Sequence, residues 1–166
     1  MRRGLALGLL VLAAGCSYSP SPALFPAHLK TLAVPVLRNA TTEPNLEQEV
    51  TEAIVNRFVQ NNKLRLVSEG DADLVLTGAV IKYTNAVFGF NAREQAQEYQ
   101  VAVSVQLTAR DRVKNREMWR DDNLVRTTNY YVVTTPGQAE ADQFSARKDA
   151  IAKIADAVLN KTVEGW

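Results

Sequence analysis

The chain predicts an α+β fold: a two-layer sandwich of about four mostly antiparallel or mixed strands, with two helices on one face. Three observations carry this. From Tyr99 to Ala109 the residues Tyr99, Val101, Val103, Val105, Leu107 and Ala109 alternate with Gln100, Ser104, Gln106 and Thr108. That period of two marks a half-buried antiparallel strand. Leu46, Val50, Ile54 and Phe58 recur at four-residue steps, as on one face of a helix. Phe144, Ile151, Ile154, Ala155 and Val158 form a second helical stripe inside 139–163.

The elements follow in order. Met1-Arg2-Arg3 is a short positive stretch, and Gly4 to Ala14 is wholly Leu, Ala, Gly and Val. Those apolar residues are too few to cross a hydrocarbon layer of roughly 30 Å, which needs about 20. They fit the apolar region of a signal peptide. The run ends in Leu12-Ala13-Ala14-Gly15-Cys16 and resembles a bacterial lipoprotein signal, with Ala13 where Leu is usual. The resemblance implies cleavage before Cys16 and a diacylglycerol on its thiol. A conventional signal peptide or a buried free cysteine is the plainer alternative. The expected organisation is a signal at 1–15, an acylated cysteine and tether at 16–27, and one domain at 28–166.

The tether reads Ser-Tyr-Ser-Pro-Ser-Pro-Ala-Leu-Phe-Pro-Ala, and Leu24-Phe25 suggests that its end docks on the domain. Lys30–Leu37 predicts a strand, with Pro35 pointing to an edge or bulge. A helix is expected from Asn45, with Asn45 and Gln48 as a capping box and Asn61-Asn62 as its stop. Leu64–Val67 predicts a short extended piece. Asp73–Tyr83 predicts a central strand, apolar on both faces. Thr84–Gln97 reads as a long connection. Asp111–Asn115 is a charged hairpin turn, and Glu117–Thr127 the returning strand.

Composition excludes several function classes. One cysteine among 166 residues rules out an internal disulfide framework and multi-cysteine metal sites. A formal charge of +1 does not fit a general nucleic-acid binder. Loss of Arg2 and Arg3 with the signal leaves 17 basic against 18 acidic residues, a side-chain charge of −1. His28 is the only histidine and reads as a surface or packing residue. Glu47, Glu49 and Glu52 read as a solvated helix face, and Asp121-Asp122 as a weak cation site at most. Outside the signal segment no Gly-rich phosphate loop follows a strand. No catalytic set and no cofactor are indicated.

What remains is basic. Arg110, Arg112, Lys114, Arg116 and Arg120 fall within eleven residues, with Arg93 in the preceding loop and Arg126 later. They read either as a solvated hairpin guarding a sheet edge or as an anion site, since guanidinium groups match phosphates bidentately. Asp111, Glu117, Asp121 and Asp122 dilute that field.

Three blocks resemble the LPS-assembly lipoproteins, the LptE family. They are Lys30–Val36 with Asn39–Glu47, then Leu64–Val67 with Ala72–Gly78, then Glu98–Val101 with the later Trp119. The resemblance implies an outer-membrane lipoprotein on the periplasmic side, not an enzyme. It would plug and help assemble the β-barrel LPS translocon (an LptD-type partner) and assist delivery of lipopolysaccharide. It also implies LPS binding by basic residues near the sheet's tip, here Arg93, Arg110, Arg112, Lys114, Arg116 and Arg120. Ser17 after the cysteine fits outer-membrane sorting. The alternative is a lipoprotein accessory of another envelope assembly or secretion machine. A periplasmic enzyme is a weaker third reading.

Overall fold

Three long strands set the shape, and the rest of the chain packs around them. The computed structural model describes residues 25–90, 94–132 and 138–164, with side chains in the last segment from 142 onward. The elements are β1 (Thr31–Ala33), β2 (Arg38–Asn39), α1 (Leu46–Asn61), β3 (Arg65–Leu66), β4 (Leu74–Phe90), β5 (Ala96–Asp111), β6 (Arg116–Tyr131) and α2 (Gln138–Val163). A single 3-10 turn, Glu69–Asp71, precedes β4. The sheet order is β3-β1-β4-β5-β6, and β2 also pairs with β4. Pairs among β1, β2, β3 and β4 are parallel, whereas β4-β5-β6 is an antiparallel meander.

The α+β expectation holds, with six strands in place of about four. Pro35 explains part of the difference. It offers no N–H to a ladder, and the expected strand at 30–37 splits around it into β1 and β2. Leu64–Val67 supplies β3. The expected connection at 84–97 is largely strand: β4 runs to Phe90 and β5 starts at Ala96, with Val87 opposite Tyr99. Register shifts at Val80/Lys82 and Val87/Gly89 break the alternation there. A bulge moves side chains between faces and so hides the period of two. Phe88 and Phe90 stand exposed at that end.

Both helices cover one sheet face, where their apolar stripes join the inward residues of the strands. Leu46, Val50, Ile54 and Phe58 of α1 are buried with Leu74, Leu76, Val80, Val101, Val103, Val105 and Leu107. From α2 come Ala150, Ile151, Ile154, Ala155 and Val158. Phe144, expected in that stripe, is 52% exposed. Ala146 and Ala150 continue the buried face, and the Lys148 ammonium lies 4.4 Å from the Phe144 ring centre. Phe25 docks on the core as expected; Leu24 lies outside the described residues.

Asn45 departs from the expected capping box. Its backbone is left-handed at φ 60 and its side chain caps nothing; the N–H groups of Gln48 and Glu49 reach its carbonyl instead. Asn62 ends the helix as expected, left-handed at φ 59, with its N–H on the Phe58 carbonyl. Glu49 is half-exposed, as a helix face expects, but it is also paired. Arg147 grips it at 2.7 and 2.9 Å and also lies 5.4 Å from the Tyr83 ring centre, joining α1, α2 and β4. The β6 edge carries cations on its outer carbonyls: Lys153 Nζ donates to Thr127 at 3.2 Å and Arg126 to Val125 at 2.7 Å.

Candidate functional site

The sheet face away from the helices is polar apart from a small buried cluster of Ala33, Ala72 and Val75, and the basic hairpin closes one end of it. The register sets the pattern. Val75 on β4 lies opposite Arg110 on β5, Thr77 opposite Thr108, and Ala79 opposite Gln106. Arg120 on β6 lies opposite Thr108, and Arg38 on β2 beside Ala79. Residues two apart along a strand share a face, so these side chains form one lattice.

Arg110 and Arg112 meet in a cleft of about 560 Å³ with Glu69, Gly70, Val75, Thr77 and Asn115. Arg110 donates to the Asn115 side-chain oxygen at 2.8 Å, and Arg112 to the Glu69 carbonyl. Lys114 sits in the turn, and its ammonium has no partner among the described residues. Arg116 leans toward Asp111 at 3.7 Å. Arg120 is held by Asp122 at 2.6 Å, which raises its pKa first through that hydrogen bond and then through the charge. Thus Arg110, Arg112 and Lys114 are clustered at the hairpin, while Arg116 and Arg120 are drawn onto acids. Arg93 and Cys16 lie outside the described residues.

Three of the four acids dilute the field less than their number implies; Glu117 stays exposed opposite Arg110. Asp111 is fully buried and faces inward. Its Oδ1 accepts the Lys114 backbone N–H at 2.9 Å. Its Oδ2 lies 2.7 Å from His28 Nε2, which must be the donor because an ionised carboxylate only accepts. Burial pushes the Asp111 carboxyl up, but the backbone N–H groups of Lys114 and Val113 and the His28 contact outweigh it and hold it below the ordinary value. Asp121 is held by Lys161 and Asp122 by Arg120 and Gln106, so neither is a spare ligand pair. Among the described residues no group of three or more His, Cys, Asp or Glu could hold a metal.

His28 therefore has a structural post that sequence reasoning missed. It pins the segment before β1 to the β5–β6 hairpin across 83 residues. Asp73, just before β4, holds the same segment from that side. Its carboxylate accepts the Lys30 and Thr31 backbone N–H groups at 2.9 and 3.0 Å, and these bonds, Lys30 foremost, lower its pKa. The Asp73 carbonyl in turn accepts the Arg112 N–H at 2.8 Å. The basic end thus rests on two ionised carboxylates.

Both have folded-state pKa values below their ordinary 3.8. Their contribution is complete well above that value and is lost as pH falls through the lower folded-state pKa. Thermal melts are expected to lose midpoint steeply below about pH 4. Asp111→Asn should flatten that fall while costing about 1.5–3 kcal/mol at neutral pH, since bonds to a charged acceptor are lost. An unchanged acid limb in the variant would remove Asp111 from this role.

A family model for lipopolysaccharide-assembly proteins, LptE, matches residues 29–162. The chain belongs to the LptE family.

No curated protein matches the chain. Several solved lipoproteins share the LptE-family fold. The minor lipoprotein of Acinetobacter baumannii aligns at 18% identity and TM-score 0.54, covering 82% of this chain and 92% of that one. Rare lipoprotein B of Shewanella oneidensis aligns at 15% and 0.55, covering 78% and 92%. Lipoprotein B of Nitrosomonas europaea aligns at 9% and 0.58, covering 81% and 83%. At these identities the likeness is one of fold. Membership makes this LptE-family chain a lipopolysaccharide-assembly protein. Among its described residues no helix is long and apolar enough to cross a membrane.

Proposed function

We propose that the chain is an outer-membrane lipoprotein that plugs the β-barrel LPS translocon, helps that barrel assemble, and contacts lipopolysaccharide at its basic hairpin. The family match over 29–162 carries the reading. In this proposal residues 1–15 are removed, Cys16 takes the lipid, 16–27 form the tether, and 28–166 are the working domain. Its function is non-enzymatic.

The polar sheet face supports the plug role. A barrel lumen is polar, and Thr77, Gln106, Thr108, Arg120 and Asp122 present a surface of that character. Arg110, Arg112 and Lys114 supply cations for the phosphates of lipid A, where guanidinium forks bind bidentately. Arg93, Arg116 and Arg120 extend that set. The lipid at Cys16 anchors the protein without a transmembrane helix, at about 0.8 kcal/mol per buried methylene.

Purification of the tagged protein from outer membranes is the test. It should bring down one large barrel protein in stoichiometric amount. Depletion should lower that barrel's abundance and the LPS at the cell surface. An abundant barrel and normal surface LPS without this protein would overturn the proposal, and recovery of a different envelope machine would replace it.

A further inference from the structure

We infer that the polar sheet face holds a two-ended groove for a saccharide carrying an anionic group at each end, with Arg38 as the cation of the second end. This deepens the proposed anion site at Arg110 and Arg112 and rests on it.

The cleft at the basic hairpin does not stop at Thr77. A second cleft of about 390 Å³ begins there, lined by Pro35, Val36, Arg38, Gly78, Gln106 and Thr108. Thr77 lines both clefts, so they adjoin along β4. The guanidinium of Arg38 has no partner among the described residues. It is exposed, and its strand neighbour is Ala79, too small to cover it. The split of the first strand at Pro35 places Arg38 here, because β2 rejoins β4 at Ala79, four residues beyond the end of β1's pairing at Val75.

Register gives the span. Arg110 lies level with Val75 and Arg38 with Ala79. Four residues at about 3.3 Å make roughly 13 Å along the strand, and two strand spacings make roughly 9–10 Å across it. A single phosphate cannot bridge that distance, whereas a saccharide with a charged group at each end can.

Between the two cationic ends the lining is neutral. The hydroxyls of Thr77 and Thr108 have no hydrogen-bond partner among the described residues. Val36 is 65% exposed beside Pro35 and offers an apolar wall to a ring face. Gly78 lines this cleft with backbone alone; a Cβ there would turn to the core side, 2.0 Å from the Gln106 carbonyl oxygen and 2.8 Å from Leu107 Cδ2. Two carboxylates bear on the hairpin end, Glu69 in the cleft and Glu117 opposite Arg110. Neither lines the Arg38 end. Hydroxyls and amides flanked by cations fit a phosphorylated sugar better than an apolar or cationic ligand.

Calorimetric titration of the detergent-solubilised full chain tests this with two probes, a disaccharide phosphorylated at both ends and the same disaccharide phosphorylated at one. Inorganic phosphate serves as the competitor. The wild type should bind the doubly phosphorylated probe about tenfold more tightly, and equimolar phosphate should not displace it. Arg38→Gln should abolish the preference and leave the singly phosphorylated probe within about twofold of wild type. Arg110→Gln should weaken both. If Arg38→Gln keeps the preference, or if phosphate displaces the probe freely, the two-ended groove is wrong and the hairpin site stands. If the wild type binds neither probe, the hairpin site is wrong and the groove falls with it.

Discussion

Phe58→Ala is expected to remove about 3–5 kcal/mol of folding stability, the usual cost of a large aromatic lost from a packed core. Phe58 is 1% exposed and closes the last turn of α1. Its side chain belongs to the cluster that joins α1 to the strands and α2. Truncation leaves a cavity that the three long strands cannot collapse to fill. Its carbonyl also accepts the Asn62 N–H at the helix end. Domains of this size have about 5–15 kcal/mol in all, so the loss is a large share. Urea titration followed by circular dichroism measures it. Val59, next in sequence and 57% exposed, is the control; Val59→Ala should stay within about 0.5 kcal/mol. Equal effects at the two positions would mean that the assigned buried face is wrong.

Reversing Arg110 and Arg112 to Glu together should weaken lipopolysaccharide binding about 100-fold at low salt, since two charge-assisted contacts become repulsions. The deficit should shrink as salt rises and screens the exposed charges. Arg112 also donates to the Glu69 carbonyl. Arg112→Gln therefore serves as a control that keeps a donor and removes the charge. Reversal at Arg116 or Arg120 should matter less, because Asp111 and Asp122 already draw on those guanidiniums. Reversal at Lys114, which is unpaired, should fall nearer the Arg110 result. Unchanged affinity in the double variant would take the ligand site away from the hairpin and leave the plug role untouched.

The parts of the fold that were legible in the sequence are those where one face is wet and one dry. β5 shows this best: Val101, Val103, Val105, Leu107 and Ala109 are all fully buried, as their alternation predicts. The distal half of β4 was illegible because its bulges shift the period and neither face there is deeply covered. At the candidate site, the local density of Arg and Lys gave away the hairpin. Sequence spacing could not show that Asp111 turns inward to His28, since the partners are 83 residues apart. Nor could it join Arg38 to Thr77, Thr108 and Arg110, which come from three strands. Val75 and Ala79 are buried like Leu74 and Leu76, so β4 read as apolar on both faces and Thr77 alone marked its polar side.

The length of the meander has a consequence of its own. β5 has 16 residues, which at about 3.3 Å each reach roughly 50 Å. A membrane's hydrocarbon layer is about 30 Å thick. Standing upright in a barrel, this one strand would overshoot the layer at both ends. Arg112 at one pole and Phe88 at the other would then report from different sides of it. A probe fixed at each pole would read the orientation of the strand directly.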